Sequence, residues 1–187
     1  MTKTILSLAS LPVLALLAAC SSGGSNGGGS ASFNDMARDA NALLAKYDDA
    51  EPTPILNMPE NGSATYRGVA AYSDVADMDY IAENAEIMSD VELNASFASG
   101  SLTGELSNFR AFNNDRIAGT VKVQNGSIDG NEIYGDLAGD LSYQGERASV
   151  DGVIAGMFVG RDAQAIAGAI GADVGGEEIY GMFGAER

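Results

Sequence analysis

Apolar and polar side chains alternate with a period of two along the chain from about Ser63 to its end. In "AEIMSDVELNASFAS", one face carries Ile87, Val91, Leu93, Ala95 and Phe97, whereas acidic and small polar residues occupy the other face. This pattern is typical of an antiparallel strand with one buried face and one face in water. It predicts eight strands, at about 63–72, 86–98, 101–108, 116–124, 131–143, 148–158, 164–172 and 178–185.

Glycine recurs on the apolar face of these strands, although it weakens a strand by itself. Two examples place a glycine between apolar residues on one face: Ile166, Gly168 and Ile170, and Ile179, Gly181 and Phe183. The interior of an eight-stranded barrel is narrow, so glycine between bulky residues lets side chains interlock and lets strands bend. Because the connections are short, we predict an all-β fold, an eight-stranded antiparallel up-and-down β-barrel. A sandwich of two sheets is the alternative that periodicity alone leaves open.

The outward face of the predicted strands is charged, with acidic residues at Glu86, Asp90, Glu92, Asp136 and Asp140. A barrel that crosses a membrane needs apolar residues at such positions, because they face lipid. We therefore predict a water-soluble barrel that does not span a membrane.

A helical period precedes the strands, in "SFNDMARDANALLAKYDD". Its apolar residues recur at helical spacing, and Ser32 followed by Asp35 resembles a capping box. Pro52 and Pro54 end the pattern. We predict one short amphipathic helix at about 34–48, whose apolar stripe packs on the body of the protein. The helix and a proline-containing linker occupy 33–62, and the barrel domain occupies 63–187.

The first 20 residues have the layout of a bacterial export signal. Lys3 precedes an apolar run from Ile5 to Leu17, which is short for a membrane span, and the segment "LAAC" ends at Cys20. "LAAC" resembles the cleavage box of bacterial lipoproteins. The resemblance implies that 1–19 is a removed signal peptide and that Cys20 becomes an acylated N-terminus held in a membrane by several chains. The alternative is a secreted protein with an incidental cysteine.

The segment after the cysteine consists almost wholly of glycine, serine and asparagine. We predict that 20–32 is a flexible tether between the lipid and the folded body. Ser21 directly after Cys20 is compatible, by resemblance to enteric lipoproteins, with sorting to the outer membrane. The expected location is therefore the cell outer membrane, and the leaflet face is left open.

Charge and composition exclude several classes of function. The chain has 26 acidic and 10 basic residues and no histidine. Such a surface repels nucleic acid and favours cationic partners. Without histidine, neither the usual hydrolytic triad nor a histidine-ligated haem can be built. In "DGNEIYGDLAGD", Ile133 and Tyr134 stand where a calcium loop needs an oxygen ligand and a glycine. We predict no enzyme activity, no cofactor, no metal site and no nucleic-acid partner.

The C-terminal segment "DGVIAGMFVGRDAQAIAGAIGADVGGEEIYGMFGAER" resembles the end of the transferrin-binding protein B barrel family. The matching positions are Gly156, Phe158, Gly160, Ala163, Ile166, Gly168, Phe183, Gly184, Ala185 and Arg187. The resemblance extends over roughly Ser63–Arg187. It implies a surface lipoprotein that captures an iron or haem carrier, or another ligand, for a receptor in the outer membrane. We expect a single barrel lobe without a handle domain.

One connection stands out as a candidate binding loop. The segment Tyr72–Asn84 is the longest connection between strands, and in a meander it lies at the same end as Phe109–Arg116. Long loops with aromatic and charged residues on a rigid barrel commonly bind partners. The candidate ligand-binding residues are Tyr72, Asp74, Asp77, Asp79, Tyr80, Phe109, Arg110 and Phe112.

Two classes of function follow from these candidates. A ligand at this end should be cationic, metal-bearing or a basic protein patch, because the surface around it is strongly negative. Haem would need a ligand other than histidine, such as Tyr72 or Tyr80. The alternative function is a structural scaffold at the cell envelope, whose barrel binds no solute.

Replacing Cys20 by Ser is expected to abolish acylation, because serine offers no thiol for the lipid. Metabolic labelling with a palmitate analogue checks this: the native chain takes up label, Cys20→Ser does not, and the control Ser21→Ala still does. A labelled Cys20→Ser chain would show that the anchor lies elsewhere.

Overall fold

A computed structural model describes residues 31–47 and 49–187. The predicted signal peptide, Cys20 and nearly all of the predicted tether lie outside the described residues. Two helices, α1 (Phe33–Tyr47) and α2 (Met78–Asn84), and a short 3-10 turn (Ile55–Asn57) accompany the strands. The strands are β1 (Ser63–Ser73), β2 (Ile87–Ser96), β3 (Ser101–Ala111), β4 (Ala118–Asp129), β5 (Glu132–Tyr143), β6 (Glu146–Val159), β7 (Ala165–Val174) and β8 (Glu177–Glu186).

The eight strands form one closed barrel in chain order. Each strand pairs antiparallel with the next, and β8 closes the barrel by pairing with β1 from Arg67 opposite Glu186 to Ser73 opposite Tyr180. The predicted up-and-down barrel with one preceding helix is therefore confirmed, and the sandwich is excluded. The strand bounds differ from the predicted ones by a few residues, and the sequence did not predict α2.

The inward glycines make room for aromatic rings in the lumen. A Cβ on Gly168 would lie 2.8 Å from Cε1 of Phe183, and a Cβ on Gly181 would lie 2.7 Å from Cδ1 of Tyr72. Real Cβ atoms do not approach other carbons so closely, so glycine at these two positions leaves the space that the rings occupy. Phe183 and Tyr72 are both buried.

A second apolar cluster lies outside the barrel, where α1 and α2 cover the outer face of β1, β2 and β8. It contains Met36 of α1 and Ile81 of α2 against Val69, Ala71 and Met88 of the strands. The burial of this face explains why β1 lacks strict alternation near its end. The apolar stripe of α1 thus packs on the body, as predicted.

Both ends of α1 are fixed. At its start, Ser32 N donates to Asp35 Oδ2 (3.1 Å) and Asp35 N donates to Ser32 Oγ (3.2 Å), which is the reciprocal bonding of a capping box. At its end, Tyr47 Oη donates to Glu186 Oε2 (2.9 Å), beside an ion pair between Lys46 and Glu186. Since Phe33 N also donates to Asn114 Oδ1 (3.0 Å) in the connection between β3 and β4, whereas Glu186 ends β8, the helix runs along the barrel wall from one barrel end to the other.

The linker 49–62 closes the barrel end at which β1, β3, β5 and β7 begin. Thr53 is its anchor: its N–H donates to Phe158 O (2.8 Å), its hydroxyl donates to Gly160 O (2.7 Å), and its carbonyl accepts from Asn131 Nδ2 (2.8 Å). Beneath it, Tyr66 Oη donates to Ala163 O (2.7 Å), and burial raises the pKa of Tyr66 to about 12. We call this the closed end.

Phe183→Ala is expected to lower the free energy of unfolding by about 3–5 kcal/mol, because it empties lumen space that Gly156 and Gly168 cannot fill. Urea denaturation checks this. Val153→Ala, on the exposed outer wall, is the control and should change the midpoint little. A Phe183→Ala midpoint equal to that of the native chain would contradict the packing described here.

Candidate functional site

The opposite end of the barrel, called here the open end, is ringed by the connections between β1 and β2, β3 and β4, β5 and β6, and β7 and β8. The predicted placement of the two longest of these connections at one end follows from the strand order. They also touch: Phe112 N donates to Glu86 O (2.8 Å).

A cavity of about 220 Å³ opens at this end of the lumen. Its wall consists mainly of aliphatic side chains, and the lining residues are Tyr72, Ile87, Leu106, Phe109, Ile117, Val121, Leu137, Leu141, Val150, Ile170, Ala172, Val174, Glu177 and Ile179. Val121, Leu137 and Ile170 are buried at its base, whereas Ile87 and Val174 are partly exposed at its mouth. We call this space the lumen cavity.

Tyr72 differs from its predicted position in an exposed connection. It lies in β1, is only 5% exposed, and its hydroxyl is 2.8 Å from Ser89 Oγ. Ser89 is itself 0% exposed, at the irregularity in the β2–β3 register. Burial raises the pKa of the Tyr72 phenol well above its usual range, so the hydroxyl is neutral and engaged inside the barrel. Phe109 lies beside it, with ring centroids 6.0 Å apart.

The predicted long loop contains the helix α2. Asp77 caps it by accepting a hydrogen bond from Tyr80 N (2.9 Å), and Ile81 anchors it against the barrel wall. The sequence signal was present, as an N-cap aspartate three residues before Tyr80 and an apolar residue on the following turn. Asp77 therefore has a structural role, whereas Asp74 and Asp79 are exposed.

Large apolar side chains are exposed around the open end. Phe112 is 73% exposed on the β3–β4 connection, and the others are Val75, Met78, Tyr80 and Tyr143. The sequence predicts Phe112 and Tyr80 as ligand-binding residues but not Tyr143, whose hydroxyl donates to Asp115 Oδ2 (3.1 Å). We call Phe112, Tyr80 and Tyr143 the aromatic rim.

Arg110 does not join this rim. It pairs with Met88 across β2 and β3, on the outer wall near the start of α1. Its Nη1 donates to Asn114 O (3.5 Å), and the Asn114 side chain accepts from Phe33 N (3.0 Å). Of the eight predicted residues, Tyr72 and Phe109 thus meet inside the lumen, and Phe112, Tyr80 and the exposed aspartates lie outside it.

The charge of the open end is negative. The acidic residues in its connections and at the strand ends beside them are Asp74, Asp77, Asp79, Glu83, Glu86, Asp115, Glu146, Asp173, Glu177 and Glu178, and they outnumber the basic residues Arg110, Arg116 and Arg147. Among residues 31–47 and 49–187, no group of three or more His, Cys, Asp or Glu side chains is positioned to hold a metal ion. In the same residues, neither helix has the length and apolar character needed to cross a membrane.

The fold and this end define a small closed β-barrel that presents aromatic and acidic residues around one opening. A family model, described as the C-lobe and N-lobe β-barrels of transferrin-binding protein B, matches residues 58–187. The chain belongs to this family. No match was found among curated proteins.

Several solved structures resemble the chain. A mutant of the vaccine antigen transferrin-binding protein B from Haemophilus parasuis Hp5 is 24% identical, with a TM-score of 0.49, over 73% of this chain and 28% of that one. An intact Ap-TbpB with N and C lobes is 23% identical over the same shares, with a TM-score of 0.47. A surface lipoprotein is 18% identical, with a TM-score of 0.44, over 72% of this chain and 64% of that one. The chain thus matches little more than a quarter of the transferrin-binding structures.

The Tyr72–Ser89 pair gives a test of the lumen geometry. Tyr72→Phe is expected to cost about 1–3 kcal/mol of unfolding free energy, because it leaves the buried Ser89 hydroxyl unpaired. Tyr72→Phe with Ser89→Ala should recover most of that loss, since neither hydroxyl then remains. Chemical denaturation of the two single variants and the double variant measures the coupling. If the loss of unfolding free energy in the double variant equalled the sum of the two single-variant losses, that result would contradict the hydrogen bond between Tyr72 and Ser89.

Proposed function

We propose that the chain is a lipid-anchored binding lipoprotein of the outer membrane, attached through Cys20, that captures a protein ligand at the open end of its barrel. The observation that carries this proposal is the aromatic rim, which is exposed at the one barrel end that the linker does not cross. The family to which the chain belongs supports a binding role for the barrel.

The rim has the composition of a protein-binding surface. Aromatic side chains are enriched at the centre of protein interfaces, because they bury a large area at a small entropic cost. The Phe112 ring is exposed to water in the isolated chain, and contact with a partner would bury it. Val75 and Met78 extend the apolar surface beside Tyr80.

The charge around the rim selects the partner. Asp74 and Asp79 are exposed in the same connection as Tyr80, and Asp115 accepts a hydrogen bond from the Tyr143 hydroxyl (3.1 Å). Such a surface attracts a basic patch and repels an acidic one, and it accelerates encounter at low ionic strength. The proposed ligand is therefore a protein that presents a basic surface with an apolar centre.

Direct coordination of haem or iron by Tyr72 has no support in this geometry. The Tyr72 hydroxyl is buried, neutral and paired with Ser89, so it offers no phenolate to a metal at the surface. Tyr80 is the exposed tyrosine of the predicted pair. In this proposal any iron or haem reaches the open end as part of a carrier protein, which a receptor in the outer membrane then unloads.

Alanine at Phe112 and Tyr80 is expected to weaken capture by about 2 kcal/mol or more, roughly thirtyfold in Kd, because the variant loses the rim's aromatic contacts. Residues 20–187 with Cys20→Ser, immobilised, are exposed to host fluid and spent medium, and the bound protein is identified by mass spectrometry and titrated by surface plasmon resonance. Tyr134→Ala with Val153→Ala, both exposed on the outer wall, form the matched control and should bind normally.

Asp74→Asn with Asp79→Asn should reduce the association rate and the salt dependence of binding, while Asp77 is kept because it caps α2. Equal affinity of the native chain and the Phe112→Ala, Tyr80→Ala variant would move the site elsewhere. Failure of the native chain to capture any protein would favour the scaffold function instead.

A further inference from the structure

We infer that the lumen cavity is a binding site for a small nonpolar group, such as the alkyl chain of an uncharged or cationic amphiphile. The inference concerns the interior of the barrel and does not depend on capture of a protein at the rim.

The cavity has the size for a small guest. Its volume is about 220 Å³. An apolar cavity of about 150 Å³ in another protein stays dry and binds benzene, whereas sites for drug-sized ligands start at about 300 Å³. A single ring or a short alkyl chain is therefore the class of guest that the lumen cavity fits.

The wall favours a nonpolar guest. Of the side chains that line the cavity, all within the described part of the chain, only Tyr72 and Glu177 carry polar atoms. The Tyr72 hydroxyl is already paired with Ser89, so the wall inside the mouth offers no free partner to a polar group. A guest with a polar atom there would lose its hydrogen bonds to water without compensation.

The packing of the lumen keeps this half open. Aromatic rings fill the closed half, where Phe158 lies 5.7 Å from Tyr66 and 5.8 Å from Phe97 between ring centroids. In the open half, Tyr72 and Phe109 contribute rings to the lining, and the other positions carry mostly aliphatic side chains, as small as that of Ala172. Tyr72 cannot swing across the space toward the mouth without giving up its bond to Ser89.

Negative charge at the mouth of the cavity distinguishes between guests with different head groups. Glu177 is exposed and lines the cavity, and Glu178 follows it in β8. A carboxylate head group on the guest would meet these charges at the opening, whereas an ammonium or hydroxyl head group would not be repelled. The lumen cavity is thus built for the alkyl end of a neutral or cationic amphiphile, and it disfavours fatty acids.

Methyl-resolved NMR of residues 20–187 with Cys20→Ser tests the site, with octylammonium, 1-octanol and octanoate as probes below their aggregation limits. We expect saturable shifts of the methyl groups of Val121, Leu137 and Ile170, and none of those of Ile133 and Ile166 in the closed half. Octylammonium should bind about tenfold more tightly than octanoate, as expected for one carboxylate near the head group.

Changes to the cavity wall and to the charge at its mouth, each with a matched control, make the result specific. Ala172→Leu fills the cavity and should weaken binding of all three probes at least about tenfold, whereas Ala155→Leu on the outer wall makes the same change without that effect. If Ala172→Leu does not fold, Val174→Phe at the mouth serves the same purpose. Glu177→Gln should bring the affinities of octylammonium and octanoate together, and Glu60→Gln at the closed end should leave them apart.

Shifts that never saturate, that spread to the closed half, or that appear instead at Leu43 and Val69 on the outer wall would overturn the inference. So would tight binding that survives both cavity-filling variants. A chain that captures a protein at the rim but shows no saturable lumen shifts would refute this site and leave the proposed function standing.

Discussion

The narrow lumen of an eight-stranded barrel is the constraint on which the rest of the structure depends. Closure brings the inner faces of opposite strands so near that a bulky residue at every inward position cannot fit. Gly168 leaves the space for the ring of Phe183, and Gly181 leaves the space for Tyr72. The loss of strand propensity at these glycines is offset by a closed sheet, which has no unpaired edge.

The same constraint makes the two barrel ends different. Aromatic rings fill the lumen near the closed end, and the linker bonds of Thr53 seal it. The two helices cover the outer wall of β1, β2 and β8. What stays accessible is the open end, with an aliphatic cavity inside and aromatic side chains outside. The start of α1 also lies near this end, since Asn108 Nδ2 donates to Ala31 O (3.2 Å) and Phe33 N donates to Asn114 Oδ1 (3.0 Å).

Much of the fold could be predicted from sequence because the period of two is a direct consequence of strand geometry. The position of Tyr72 could not, since alternation breaks down where helices bury the outer face of β1 as well. The helix α2 could not be predicted because its seven residues hold a single buried side chain, Ile81, which is too little for a helical period.

Parts of the candidate site also depend on three-dimensional placement. The alternation of β5 puts Tyr143 on the inward face, yet at the end of the strand its ring reaches the exposed rim and its hydroxyl bonds Asp115. The lumen cavity depends on which inward side chains fill the space across the barrel, and that is a three-dimensional property.

The acidic surface counteracts the tendency of the exposed rim to self-associate. Phe112, Val75 and Met78 in water are a liability, because apolar patches on different copies of a protein attract one another. A net charge of −16 opposes that association, and the carboxylates nearest the rim oppose it most strongly. Copies of the chain therefore repel each other at this surface. In the proposed function the same charge would select a basic protein at the rim, and in the inferred lumen site Glu177 would disfavour anionic guests.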